Sequence, residues 1–319
     1  KAKLQSQSDM PVIDIGVPNI IRICCASFVH DNIKLDTPPQ LPSVTSSNFS
    51  SVLRKKLAIC STIFDFSRQN DQLPEKELKA RAMCEFIELF ENDKEISQLS
   101  EDCQNAIFKM LEYNILSQDP TVEMQKNPYD FSINIVEVNW PHLFYCYQIF
   151  NRFIQLFPNL PAINIKLVKK LINLTQIADT NERMQLVAFL RSYYNNRVND
   201  QDEILSMIKE KLLEMIDGIA KPYCVMPLII LLTHIYSKSR TPSSSQYVDT
   251  IIQAVLPLIS HPYMPIYQAN IRQLLTTFLS GNGYYATQVL RGIEIRWPQT
   301  SFQMQLYVFD ILLNIFDRL

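Results

Sequence analysis

Glycine is scarce in this chain: five residues in 319, against a usual share of roughly 7%. So few leave little material for phosphate-cradling loops, tight hairpins or the turns of a strand-rich fold, and the composition points to helices. Histidine is scarcer still. His30, His142, His234 and His261 are the only four, and each stands apart from cysteine or carboxylate partners at ligand spacing. No H-E-x-x-H, G-x-S-x-G or P-loop motif is present, so neither a metal nor a cofactor is expected. No uninterrupted apolar run reaches the roughly 20 residues that a membrane span needs. Charge of one sign is lacking as well: 30 Lys and Arg against 32 Asp and Glu give a formal net charge of -2. That balance provides no general attraction to nucleic acid or to an anionic membrane. The seven cysteines, at 24, 25, 60, 84, 103, 146 and 224, include no C-x-x-C pair, and an odd number does not make a disulfide framework. They read as reduced, small core residues of a cytoplasmic or nuclear protein.

What the chain does have is 47% hydrophobic residues, enough for a large core. Residues 1–49 read as a polar, proline-bearing and mostly extended N-terminal arm. One apolar island interrupts it, Ile20-Ile21-Arg22-Ile23-Cys24-Cys25 with Phe28 and Val29; it reads as a short strand, a docking segment or a piece that tucks onto the first helices. From residue 50 onward the pattern is helical. Val52, Leu53, Leu57, Cys60, Ile63 and Phe64 form one apolar face, and Leu78, Met83, Phe86, Ile87 and Phe90 the next. A third helix carries Cys103 to Ile115, followed by a polar loop from Gln118 to Asn134, long enough to be functional or mobile.

The most apolar helix-length stretch runs from Trp140 to Phe157. Pro141 sits where a first helical turn needs no amide partner. Leu143, Tyr147, Phe150, Ile154 and Phe157 line one face, with Phe144, Cys146, Ile149, Phe153 and Leu156 on a second, so the helix must be sandwiched between neighbours. Helices are then expected over 164–177, 180–198, 202–217, 224–238, 247–259, 265–279, 286–296 and 301–319. Asp179 with Glu182 has capping-box spacing. The starts at Asn164, Asp202, Tyr247 and Ala286 recur at roughly 40 residues, the length of a HEAT or armadillo unit. The expected fold is therefore all-α, a HEAT-like helical-repeat solenoid over residues 50–319. His142, in a first turn, reads as structural. Glu75, Glu77, Glu85 and Glu88 fall on faces expected to be solvated. The clusters Arg54-Lys55-Lys56 and Lys166-Lys169-Lys170 lie beside acids and lack interleaved aromatics for base stacking. A non-catalytic binding module fits better than a helical enzyme.

Particular residues add what periodicity does not. Lys56 to Phe66 followed by Lys76-Glu77-Leu78-Lys79-Ala80 resembles the first helices of the B-prime family of regulatory subunits of protein phosphatase 2A. Trp140-Pro141-His142-Leu143 with Phe150-Asn151-Arg152-Phe153 looks like that family's Trp-Pro-His-Leu helix. Glu182-Arg183, Leu186, Leu190 and Tyr194, then Val255-Leu256-Pro257-Leu258, Val289-Leu290-Arg291-Gly292 and Trp297-Pro298-Gln299-Thr300 follow in order. The resemblance covers the chain from about Val52 to Leu319. It implies a horseshoe of HEAT-like repeats without catalytic residues. Such a subunit binds the phosphatase scaffold and catalytic subunits and recruits substrates through short linear motifs of the form Leu-x-x-Ile-x-Glu. The other adaptor reading is a HEAT-repeat protein for transport or assembly, unrelated to phosphatase. The family continues with further repeats beyond the point matching Leu319, so the chain reads as a fragment or an unusually short member.

Residue by residue, the resemblance places Leu231 and Ile235 where the family has an aliphatic floor, and Tyr194 matches a family tyrosine. Arg191 and Ser192 stand where the family has His-Arg, Gln201 where it has a second Arg, and Ser244 and Tyr247 where it has Lys and His. Two lost guanidinium contacts would cost at least about 3 kcal/mol, on the order of a hundredfold in affinity, so weak or altered peptide recognition is expected. The turn residues Thr180, Asn181, Glu182 and Arg183 are the expected contacts to the other subunits.

Overall fold

The computed structural model describes residues 19–30, 33–68, 70–118, 133–238, 245–280 and 283–317. Among them, thirteen helices account for almost all regular structure, as the apolar periodicity requires. The first five are α1 (Phe49–Cys60), α2 (Leu73–Glu91), α3 (Asp93–Ile96), α4 (Glu101–Leu116) and α5 (Trp140–Leu156). Then come α6 (Ile165–Leu174), α7 (Thr180–Asn196), α8 (Gln201–Ile216), α9 (Val225–Lys238), α10 (Ser245–Thr250), α11 (Met264–Ser280), α12 (Ala286–Ile295) and α13 (Phe302–Phe316). They stack in two layers. In one, α2, α5, α7, α9, α11 and α13 pack in succession; in the other α1, α4, α6, α8, the segment after α10 and α12 do so. This is the all-α, HEAT-like solenoid, with one continuous core running between the layers.

Local chemistry sets the helix starts. Ser100 Oγ accepts the Cys103 amide at α4, Asn164 Oδ1 accepts those of Lys166 and Leu167 at α6, and Ser301 Oγ accepts that of Met304 at α13, each satisfying donors a helix leaves open. Gly218 ends α8 at φ 77°, the left-handed conformation glycine adopts without strain. The helix expected over 247–259 is regular only to Thr250. It continues as a π turn and then a 3₁₀ turn around Pro257, whose missing amide cannot continue the α ladder. Gly292 is a close-approach glycine, since a Cβ there would lie 2.3 Å from Leu256 Cδ1. Gly292→Ala is expected to cost about 1–3 kcal/mol, read as a lower urea midpoint at unchanged slope.

The apolar island of the arm forms a strand. β1 (Asn19–Ile23) pairs in parallel with β2 (Ile133–Glu137), with Ile21 opposite Ile135. The loop expected to run to Asn134 therefore ends earlier on its C-terminal side, while its residues 119–132 lie outside the described ones. Beyond β1 the described arm residues carry no regular element before α1 and are held by bonds to the helices. His30 N donates to Ile63 O at 2.8 Å, and the Gln72 amide side chain bonds the backbone of both His30 and Ile33. Gln72 itself sits at φ 52°, a costly conformation for a non-glycine residue that these two bonds hold.

Several surface expectations are corrected. Glu85 pairs with the buried Lys56 at 2.7 Å and accepts the Leu41 amide, so it ties the arm to α1 and α2 rather than facing solvent. Cys24 and Cys84 are exposed, while the other five cysteines are buried; all seven are free thiols. Lys79 is buried because Thr62 O and the Asn114 amide oxygen accept its ammonium at 2.6 and 2.8 Å. α13 is apolar on two faces: Met304, Val308, Ile311 and Ile315 are buried, while Phe302, Leu306, Phe309, Leu313 and Phe316 are exposed. No helix among the described residues is long and apolar enough to cross a membrane.

Candidate functional site

The described residues of both sets picked out from sequence sit on or beside α7, one set at each end. At its start Asp179 is the N-cap: Oδ1 accepts from Asn181 N at 2.7 Å and Glu182 N at 3.2 Å, while Oδ2 accepts from Glu137 N of β2 at 2.8 Å. Only half of the expected capping box forms, because Glu182 turns inward and takes the Tyr147 hydroxyl at 2.8 Å. The Glu137 carboxylate accepts the amides of Cys25 and Asn139 at 2.7 and 2.9 Å. Glu137, Asp179 and Glu182 are thus fully buried together where the arm, β2, α5 and α7 meet.

Burial, with the nearby charges of Glu137 and Asp179, pushes the Glu182 carboxyl up to about 8. Burial also raises Glu137, against the two amide bonds it accepts. Arg183 forms no ion pair among the described residues. Its Nη1 donates to the carbonyls of Ile177 and Ala178 at 2.7 and 2.5 Å, its Nη2 to Thr180 Oγ1 at 2.8 Å, and the guanidinium lies over the Tyr223 ring. It therefore closes the turn between α6 and α7. Of the four subunit-contact candidates, Thr180 and Asn181 are exposed on the rim and Glu182 and Arg183 are buried beneath them. No cluster of His, Cys, Asp or Glu among the described residues is arranged to hold a metal ion.

At the other end of α7 its last turns meet α9 and the residues at the start of α10. Tyr194 and Tyr247 meet hydroxyl to hydroxyl at 3.3 Å, and Tyr236 donates to Tyr247 O at 2.8 Å. Burial and that contact raise the Tyr194 phenol. Gln201 donates to Tyr194 O at 3.0 Å, and Arg191 reaches Ile230 O at 3.4 Å. Arg191, Ser192, Gln201 and Tyr247 are half-buried along this edge. Leu231 and Ile235 are fully buried in the core between helices, so this conformation does not present them to a peptide. Ser244 lies outside the described residues.

Sequence reasoning missed two polar neighbours, Asn195 and Lys238. His234 Nε2 lies 3.1 Å from Asn195 Oδ1, and burial together with the charges of Arg191 and Lys238 lowers the His234 imidazole. The available signal was spacing: Arg191 and Asn195 on α7, and His234 and Lys238 on α9, are i, i+4 pairs on helices that pack side by side.

The chain is thus a two-layer helical stack whose buried carboxylates are engaged in backbone and tyrosine bonds. A family model, the protein phosphatase 2A regulatory B subunit of the B56 family, matches residues 38–319. The chain belongs to the B56 family of regulatory subunits. It is 25% identical over 285 residues to the rat 56 kDa regulatory subunit beta isoform of serine/threonine-protein phosphatase 2A, covering 88% of this chain and 57% of that one. The human alpha isoform is 24% identical over 288 residues, covering 88% of this chain and 58% of the relative. The Arabidopsis thaliana B' alpha isoform is 23% identical over 284 residues, covering 82% and 55%. The chain thus spans somewhat over half the length of these relatives, all named as regulatory subunits, a non-catalytic role.

Proposed function

We propose that this chain acts as a non-catalytic regulatory subunit of a protein phosphatase 2A holoenzyme, binding the scaffold and catalytic subunits and recruiting substrates to them. The family match over residues 38–319 carries this reading. The cytoplasm, with the nucleus as a second site, is the compartment that goes with it. The test is a pull-down with the folded chain as bait, followed by mass spectrometry. Recovery of phosphatase scaffold and catalytic subunits is the expected result; their reproducible absence removes the reading and leaves the transport or assembly adaptor.

The exposed pair Thr180 and Asn181 is our choice for a rim contact. Asn181→Arg is expected to cut scaffold recovery by roughly tenfold with an unchanged melting temperature, because the buried Glu182 and Arg183 remain in place. A Leu-x-x-Ile-x-Glu peptide is expected to bind weakly beside Tyr194, since Ser192 and Gln201 offer no cation and Leu231 and Ile235 are buried. Ser192→Arg with Gln201→Arg should tighten binding by about tenfold or more, measured by titration calorimetry. The arginine at 201 can keep the bond that Gln201 now makes to Tyr194 O. Low-micromolar binding by the unmodified chain would sink this account.

A further inference from the structure

The layer of the stack that holds α1 and α4, opposite the layer of α7 and α9, carries a trough of about 540 Å³ between those two helices, closed at one end by the arm. It exists because small residues face each other: Ala58 on α1 and Ala106 on α4 leave room that longer side chains would fill, over a floor of Leu57 and Met110. Its volume falls within the range of about 300–1,000 Å³ typical of binding sites. At the arm end stands an aromatic wall. Phe28 packs against Tyr113 at 5.6 Å and against His30 at 5.5 Å, and Phe28 and Tyr113 are each 41% exposed. The wall is fixed in place: His30 N donates to Ile63 O at 2.8 Å, Ile63 N donates to His30 Nδ1 at 3.0 Å, and Ser27 N donates to Ser117 O at 2.8 Å.

Charge gives the trough a direction. Arg54 and Lys109 line it from opposite helices, both exposed. Among the described residues no carboxylate lines the trough, and neither cation makes an ion pair. Among the described residues, the cluster Arg54-Lys55-Lys56, expected to be balanced by neighbouring acids, has an ion pair only at Lys56, which takes Glu85. Two exposed cations across an apolar floor fit a ligand with acidic groups on either side of one apolar side chain. Arginine suits a carboxylate particularly, because its donors match it two by two, and exposed aromatic rings contribute large contact area at low entropic cost. Two cations are too few for a nucleic-acid track, whose affinity grows with the number of phosphates neutralised.

We propose that the α1 and α4 trough is a docking groove for an acidic short peptide of a partner protein. A single aliphatic or aromatic anchor would seat over Ala58, Ala106 and Met110, with flanking carboxylates on Arg54 and Lys109. The groove is separate from the residues beside Tyr194, and the proposal does not depend on phosphatase binding.

The experiment screens a phage-displayed library of peptides from disordered protein segments against the 319-residue chain. Parallel screens use Arg54→Glu with Lys109→Glu, which reverses the rims, and Ala58→Trp, which fills the floor and leaves both cations. The wild type is expected to enrich peptides carrying one apolar residue between Asp or Glu. A synthetic copy should bind either variant at least about tenfold more weakly by fluorescence anisotropy, and Arg54→Lys with Lys109→Arg should retain most of the binding. All sites are exposed, so melting temperatures should stay at the wild-type value. Enriched peptides without acidic residues, or equal binding to wild type and both disabling variants, would overturn the proposal. So would concentration-dependent self-association abolished by the same variants, which would assign the trough to a second copy of the chain.

Discussion

Phe150→Ala is expected to lower the stability of the fold by about 3–5 kcal/mol, enough to unfold a large fraction of a marginally stable domain. Phe150 is 1% exposed, stacks on Phe189 of α7 at 4.6 Å with the rings within 10° of parallel, and lies 6.2 Å from the Phe108 ring of α4. It therefore joins helices of both layers, and its loss leaves a cavity that neither layer can fill alone. The stacked pair adds about 0.5–1.5 kcal/mol beyond area burial. Equilibrium urea denaturation followed by far-UV circular dichroism measures the change. A loss below about 1 kcal/mol would mean that the core collapses around the gap, contrary to the packing described above.

Glu182→Gln is expected to stabilise the protein at pH 8 and to leave it nearly unchanged at pH 4.5. In the folded chain the Glu182 carboxyl is raised from 4.5 to about 8, chiefly by burial. Below 4.5 both folded and unfolded chains hold the proton, and the contribution is fully present. As pH rises, the unfolded chain releases the proton while the folded chain keeps it, so stability falls until the folded group ionises near 8. Glutamine has no proton to lose and still offers an oxygen to the Tyr147 hydroxyl. Between pH 5 and 8 the gap between variant and wild type should widen to the order of a few kcal/mol.

Other groups shape the rest of the profile. Glu137, also raised, contributes a slope of the same sign that remains in the variant. His142 acts oppositely: burial and the charge of Lys79 lower it from 6.5 to about 2, so its share of stability is lost as pH falls below 6.5. Parallel melting curves for wild type and Glu182→Gln across pH 5 to 8 would contradict the buried-carboxyl account.

The helices were legible because their apolar residues recur at the helical period over ten or more residues, and α5 begins at Trp140 ahead of Pro141 as its first-turn signal requires. The π and 3₁₀ turns after Thr250 were not, since Pro257 sits late in a pattern that otherwise reads as one helix. β1 was readable as an island and not as a pairing. Ile21 and Ile135 are 114 positions apart in the register, and five-residue strands carry no signal that names their partner. In the candidate site, the inward turn of Glu182 and Arg183 was available from phase: they stand four residues before Leu186 and Val187, both buried. The same reasoning puts Leu231 and Ile235 among the buried residues of α9. The buried carboxylate cluster was hidden because one of its members, Glu137, comes from a strand the helical pattern did not contain.

That strand changes how the stack should come apart. In a repeat array each unit touches only its neighbours, so opening starts at an end and moves inward one unit at a time. Here β1 crosses from ahead of α1 to β2, and Glu137 passes the connection to the cap of α7 through Asp179. The leading helices cannot peel away without releasing a contact more than a hundred residues further along the chain. The first half of the array should therefore open as one cooperative block, with amides of α1, α2 and α5 exchanging hydrogen at a common free energy and those of α12 and α13 exchanging earlier.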